Sequence, residues 1–384
     1  ALTPFYFLNL PGLNLGPADV LFVAVAASLV LSGTSLVLFP SRRIGIGALV
    51  FLLGAGISLL VTPRPVEGAL DFLQYVLIFA VVVPVTITVF RDRRRYWLAV
   101  LLIWVGLNVV VLAATVRAVA IVTSPTPTIN ALKHMSLWYG NQNLLYWIVA
   151  SAAITDLVVA LDRGVPRPLR RASGGLAVPA FALVFAGQSV TAVLMASTAG
   201  WLAVLLWLSR REANRGLGGF LGATAVAVAG VVAIVVTHLE FFLWLGNVED
   251  RLFMYTTALR LGTQALPFGT GLESSSVVVA PHSLHRTGVT SIHNFALAYY
   301  LETGILGVAG FLAVVMYWLR DVALAHVARL RDLALSETVP MLVFGGYLVV
   351  ILFQNVPVQR FWWVLFGLSC AAVARPGQSP ASDS

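Results

Sequence analysis

The chain has 384 residues, 59% of them hydrophobic and only 10% charged, with a mean hydropathy of +0.91. Soluble domains carry about 25% charged residues, so a soluble globular protein is excluded and an integral membrane protein is expected. The formal net charge is +8, but the arginines behind it lie between apolar segments rather than along one polar face, which argues against a nucleic-acid partner.

The first residue is alanine. A start methionine, with or without a first span or signal segment, is therefore expected upstream. A helix needs roughly 20 apolar residues to cross about 30 Å of hydrocarbon. The runs 18–39, 44–62, 69–90, 96–121 and 143–161 each predict one crossing. The run 174–208 is too long for one, since it would make a helix of about 52 Å. It predicts two short spans, 174–187 and 190–208, joined by a tight external turn near Gly187-Gln188-Ser189. The runs 217–237, 293–319, 338–354 and 361–374 bring the total to about eleven, or twelve if a first span has been lost. The expected fold is an all-α polytopic membrane protein, a single transmembrane domain over 1–384. Residues 375–384 are polar and read as a disordered cytoplasmic tail. The one cysteine, Cys370, lies in an apolar run, so no intramolecular disulfide can form.

Orientation follows from the cations, all arginine except Lys133. With the N-terminus outside, the cytoplasmic segments hold Arg42 and Arg43, Arg91 and Arg93 to Arg95, Arg163, Arg167, Arg170 and Arg171, Arg210, Arg211 and Arg215, Arg320, Arg329, Arg331 and Arg375. Lys and Arg favour that side. The exceptions are Arg64, Arg117, Lys133, Arg251, Arg260, Arg286 and Arg360. Singly, each is a tolerable loop cation. As a set in so charge-poor a chain, they point to an anionic ligand at the outer surface.

The longest hydrophilic stretch, 238–292, is read as an external loop, where function concentrates on a rigid scaffold. From Asp250 to Leu266 it has helical periodicity, with Leu252, Thr256, Leu259, Thr263 and Leu266 on one face, as for a helix lying apolar side down in the membrane interface. Arg251 and Arg260 are nine residues apart, about 180° around an ideal helix, and cannot both meet one small group. Pro267 ends the helix, and Phe268-Gly269-Thr270-Gly271 forms a turn, either a plain helix exit or backbone amides approaching an anion. His282, His285 and His293 follow with spacing H-x2-H-x7-H. No metal site is expected from them: no cysteine accompanies them, and Glu273 is the nearest carboxylate. The next span opens with His293 and Asn294, carries Glu302, and shows Gly304, Gly307 and Gly310.

The segments "EDRLFMYTTALRLGTQALPFGTGLES" and "HNFALAYYLETGILG" resemble the signature of the O-antigen ligase and O-antigen polymerase superfamily. That signature is an Arg, an amphipathic helix, a Pro-x-Gly-x-Gly turn, a His-Asn pair, a Glu-x-Gly and a further Gly. "GNQN" at Gly140–Asn143 and "FQNVPVQRFWW" near the end are weaker echoes. The resemblance implies a GT-C-type glycosyltransferase of the bacterial inner membrane, multi-pass, with its active site facing the periplasm. Such enzymes move a glycan from a polyprenyl (undecaprenyl) diphosphate carrier to an acceptor hydroxyl, without a metal or other cofactor. The partners implied are that donor, a lipid A–core or other glycan acceptor, and membrane lipids. Carried over, His293 becomes the catalytic base and Arg251 a diphosphate ligand, with Arg260 less firmly placed. The family often has Ser-Arg-Gly before the span at 190–208, and this chain has no arginine there. Arg117, near the outer end of its span, is the expected substitute, and Lys133 precedes "GNQN" where relatives tend to be basic. Asn294, His282, His285, Arg286, Asn141 and Asn143 are further candidates for binding substrate.

The chemistry fits those residue types. A diphosphate leaves as a good anion and needs positive charge, which arginine supplies through bidentate contacts while staying protonated. The acceptor hydroxyl must lose its proton as it attacks, a task for a neutral imidazole with an ordinary pKa near 6.5; arginines close by would hold His293 neutral. Glu302 lies nine residues on, about 13.5 Å deeper and on the opposite face, so it is expected to pair with a neighbouring helix or to be protonated. The three glycines are expected to admit a helix at close range. Aromatics near the outer boundary, among them Trp138, Tyr139, Trp147, Phe241, Phe242 and Trp244, could flank the isoprenoid tail or form an ordinary interfacial belt. Short external loops favour ligase over polymerase. From another class, a lipid-linked glycan transporter or flippase would need midplane ionisable groups. Asp156 is the clearest mid-span acid, and Arg163 is close enough in sequence to meet it.

Overall fold

The computed structural model describes residues 8–10, 13–15, 17–124, 131–132, 134–135, 137, 142–187, 189–211, 248–282, 292–329, 333–352 and 360–374. Among these the protein is helical apart from one small hairpin, β1 Leu8–Leu10 paired antiparallel with β2 Leu13–Leu15. Twelve helices follow: α1 Pro17–Leu31, α2 Arg42–Ser58, α3 Pro65–Phe90, α4 Arg93–Val122, α5 Gln142–Leu161, α6 Arg167–Ala186, α7 Val190–Arg211, α8 Val248–Gln264, α9 Ser275–Val279, α10 Phe295–Ala328, α11 Leu335–Ile351 and α12 Arg360–Val373. Six are long and apolar enough to cross a membrane: α3, α4, α6, α10 and most of α5 and α7. The chain is thus an α-helical polytopic membrane protein.

Local chemistry sets the ends of these helices. Ser41 and Asp92 cap α2 and α4, accepting from the N–H groups of Ile44 (3.4 Å) and Arg95 (3.0 Å). In α3 the turn Ile78–Val82 is widened. Pro84, two residues past its end, offers no N–H and crowds the carbonyl one turn back, so the hydrogen-bond ladder loosens there. The long run at 174–208 does break at Gly187, into α6 and α7. The expected span 217–237, the tail 375–384 and the loop stretches 238–247 and 283–291 lie outside the described residues.

Contacts divide the chain into two compact units. The first runs Phe90–Gly230 and Ala325–Val350. Its centre is α5, a helix of small and β-branched residues (Val149, Ala150, Ala152, Ala153, Ile154) with no exposed surface, packed against α4, α6 and α7. Trp147 is buried there, its Nε1 donating to Thr191 Oγ1 at 2.8 Å. It therefore fills the interior rather than bracketing a lipid tail; Trp138, Tyr139, Phe241, Phe242 and Trp244 lie outside the described residues. At the end of α5, Asp162 Oδ2 accepts from the N–H and Oγ of Ser336 (2.8 and 2.5 Å), which fastens the start of α11.

The second unit runs Leu2–Val89, Val231–Leu324 and Ile351–Ser384. Between lipid-embedded helices the hydrophobic effect contributes little, because lipid is as apolar as leucine; close packing and interhelical hydrogen bonds must hold them. That is what α2 and α10 show. A side chain at Gly54 would strike the backbone of Gly307, and one at Gly310 the backbone of Phe51. The aromatic rings of Phe51, Tyr75, Phe295, Tyr299 and Phe311 stack edge-to-face beside this contact, with Tyr299 OH donating to Tyr75 OH. Arg360, at the start of α12, is buried. Its Nε donates to Asp19 Oδ1 and its Nη1 to Gln74 Oε1, both at 2.9 Å. This cation, which the sequence placed on the outer side, is therefore explained by an internal ion pair rather than by a ligand.

Candidate functional site

The candidate site belongs to the second unit and is built where α8 meets the start of α10. Met254 and Ala258 of α8 pack with Val279, Ile292, Ala298 and Leu301 into one buried cluster. The stripe expected to lie in the membrane interface is a different face of α8: Leu252 and Leu259, with Leu266 just beyond the helix, are exposed, at 57, 46 and 42%, and so are left free for lipid. The helix has two apolar faces, one packed on α10 and one left outward. Periodicity could find a stripe, but not which stripe had a protein partner.

His293 lies just before α10, half-buried. Its backbone carbonyl accepts from Tyr255 Oη at 2.8 Å. Tyr255 is four residues, one helical turn, beyond Arg251, so the backbone of Arg251 is on the side of α8 tied to His293. The Arg251 side chain lies outside the described residues. Asn294 is the N-cap of α10: Oδ1 accepts from Leu297 N–H at 3.0 Å, and Nδ2 donates to the Leu352 carbonyl at 3.0 Å. Asn294 is therefore occupied in shaping the site rather than in holding a sugar. Arg260 is exposed on α8, five residues past Tyr255 and about 140° around the helix, away from His293. His282 ends a short helical turn, Ala280–His282, and is exposed.

Beneath the site the Pro267–Gly271 turn is used structurally. Gly304 has φ 64 and ψ −160 inside α10, which breaks the helix there. Leu301 and Glu302 consequently offer their carbonyls sideways. The N–H groups of Thr270 (2.7 Å) and Gly271 (2.9 Å) donate to them, and Ile305 N–H donates to the Pro267 carbonyl (3.2 Å). With the Gly269 amide bonded to Ala265 as well, the three amides of the Gly-Thr-Gly turn are committed within the protein, which fits the helix-exit reading better than an amide cradle for an anion. Gly304 is likewise not a packing glycine like Gly307 and Gly310: a side chain on it would strike the Pro267 carbonyl. Glu302 is buried, and Oε1 accepts from Ser275 N–H at 3.1 Å, steadying the start of α9. Its partner is thus a neighbouring helix, as the sequence suggested, but the short α9 of the loop rather than another span.

Glu273, in this loop, takes φ 58. Burial pushes its carboxyl above the ordinary range, the positive charge of Arg64 pulls it back, and Glu67 raises it further. Arg64, exposed ahead of α3, thus faces an acid of its own protein.

Of the other candidates, Arg117 and Asn143 belong to the first unit. Arg117 is exposed, five residues before the end of α4. Asn143 Oδ1 accepts from Ser189 Oγ at 3.3 Å. Lys133, Asn141, His285 and Arg286 lie outside the described residues. Asp156 is fully buried and bonded by Trp104 Nε1 (2.7 Å) and Asn108 Nδ2 (3.3 Å); Arg163 is exposed and does not reach it. Sequence reasoning missed Tyr255. The signal was available, since a tyrosine one turn from a candidate arginine can fasten the arginine's helix. No protein-family model matches the chain, and no curated protein matches it.

Proposed function

We propose that the chain is a glycosyltransferase of the O-antigen ligase and polymerase type. It transfers a glycan from an undecaprenyl-type polyprenyl diphosphate to an acceptor hydroxyl, with lipid A–core as first choice of acceptor. In this proposal eleven spans, or twelve with one upstream, cross the bacterial inner membrane, and the 238–292 loop faces the periplasm. Arg251 holds the diphosphate, and His293 takes the proton of the acceptor hydroxyl as its oxygen attacks the anomeric carbon and the carrier diphosphate leaves. The observation that carries the reading is the Tyr255–His293 hydrogen bond. It couples the arginine-bearing helix to the histidine, as a diphosphate site beside a base requires. No metal takes part in this scheme, because guanidinium supplies the charge.

The test uses purified full-length chain with a lipid-linked donor and separate acceptor classes. His293→Ala should cut transfer at least about 10²-fold while donor binding persists; Arg251→Ala should weaken donor binding. Activity should persist in EDTA. Full activity of His293→Ala would remove the base from the scheme. Extension of one carrier-linked chain by another, without transfer to lipid A–core, would make the enzyme a polymerase. Movement of lipid across liposomes with no glycosidic bond formed would make it a transporter.

A further inference from the structure

Within the first unit, α4, α5 and α6 enclose a polar cluster that the glycosyl-transfer scheme does not use. Asp156 of α5 is fully buried, as is Ser173 of α6, and Asn108 of α4 is 5% exposed. One carboxylate oxygen of Asp156, Oδ1, accepts from Trp104 Nε1 at 2.7 Å and from Asn108 Nδ2 at 3.3 Å. Ser173 sits beside the same carboxyl, yet its hydroxyl completes no hydrogen bond of good geometry. Asp156 Oδ2, Asn108 Oδ1 and Ser173 Oγ are all buried with no hydrogen-bond partner in the protein. Three orphaned oxygens, on Asp156 and on two side chains from neighbouring helices that each adjoin it, are too many to leave unanswered: each unpaired buried polar group costs about 1–3 kcal/mol.

Charge narrows what answers them. Among the described residues, no ion pair reaches Asp156. On the elements packed around it, Arg163 is exposed, Asp162 is engaged by Ser336, and Arg170, one turn from Ser173, does not act on the carboxyl. A water molecule could satisfy the oxygens but would leave a negative charge unpaired in the hydrocarbon layer, where such a charge is expensive. A divalent ion is usually met by more than one carboxylate, and the single carboxylate here would leave one of its charges unpaired in the hydrocarbon layer. Among the described residues no group of three or more His, Cys, Asp or Glu side chains is placed to hold a metal ion. One carboxylate, one amide oxygen and one hydroxyl make a hard, all-oxygen set of net charge −1, the complement of a singly charged metal ion.

We propose that Asp156, Asn108 and Ser173 form an occluded site for a monovalent metal cation, with sodium as its expected occupant. The carboxylate supplies the charge, Trp104 and Asn108 Nδ2 orient it by holding Oδ1, and Oδ2 faces the ion. The role is to join α4, α5 and α6 through the ion. This inference stands apart from the glycosyl-transfer reading and survives its failure.

The experiment measures thermal unfolding of the full-length protein in detergent at fixed pH and ionic strength. Sodium chloride is exchanged stepwise for N-methylglucamine chloride. Tm of the unaltered protein should rise with sodium by mass action. Asp156→Asn should abolish the response, and Ser173→Ala, a smaller change that guards against a failure to fold, should weaken the apparent sodium affinity about tenfold. Identical Tm in the two salts at every ratio overturns the proposal. So does a response to pH with none to sodium, which would assign the carboxyl a proton instead of a metal ion. An undiminished sodium response in both variants also overturns it.

Discussion

Glu273 combines two unfavourable features in one residue. Its φ of 58 lies in the left-handed region that side chains other than Gly, Asn and Asp seldom enter, and burial raises the pKa of its carboxyl. The folded state therefore binds this proton more tightly than the unfolded chain does. The resulting contribution to stability is complete below the unfolded pKa and is lost as pH rises through the folded one. Glu273→Gln removes the titration. Its Tm should fall less than that of the unaltered protein as pH is raised from acid to neutral, in a melting series across that range. Equal slopes would show that the carboxyl carries no such cost. Residue identities were legible at this scale, but their partners were not. His293 and Glu302 both drew attention as polar groups at or within a span. Only the fold shows that Glu302 faces the loop at Ser275 and that Tyr255 holds the carbonyl of His293.

α10 shows what an element can hide. Gly304, Gly307 and Gly310 look alike in sequence, a row of small residues at three-residue spacing. Gly307 and Gly310 do admit α2, whereas Gly304 is where the helix breaks. The difference arises because Pro267, Thr270 and Gly271, distant in sequence, supply the hydrogen bonds that the break removes. An unsatisfied peptide group in lipid costs several kcal/mol, so a broken span survives only where protein fills the gap. Gly304→Ala should be destabilising by about 1–3 kcal/mol from the backbone conformation alone, with the clash against Pro267 added. Gly175→Ala in α6, where an added methyl meets nothing, should be neutral or stabilising by up to about 1 kcal/mol. Melting temperatures of the two variants in detergent check the contrast; equal effects would contradict the described break.

At the scale of the whole molecule, orientation is the outstanding expectation. Cys370 is buried, so the unaltered protein should be nearly silent to a membrane-impermeant maleimide. His282→Cys in the loop after α9 should label in intact spheroplasts, and Gly164→Cys, in the turn between α5 and α6, only after permeabilisation. The reverse pattern would invert the arginine-based topology and remove the periplasmic site with it.

The chain alone determined the membrane class, the helical architecture and, among the described residues, roughly where most helices begin and end, including the division of 174–208. Those follow from apolar run length and from proline, glycine and capping residues, which act over a turn or two. Tertiary structure alone decided which face of α8 is packed, which glycine breaks α10, why Arg360 is buried and which groups surround Asp156. Each depends on a partner far away in sequence, and local periodicity contains no record of where that partner will stand.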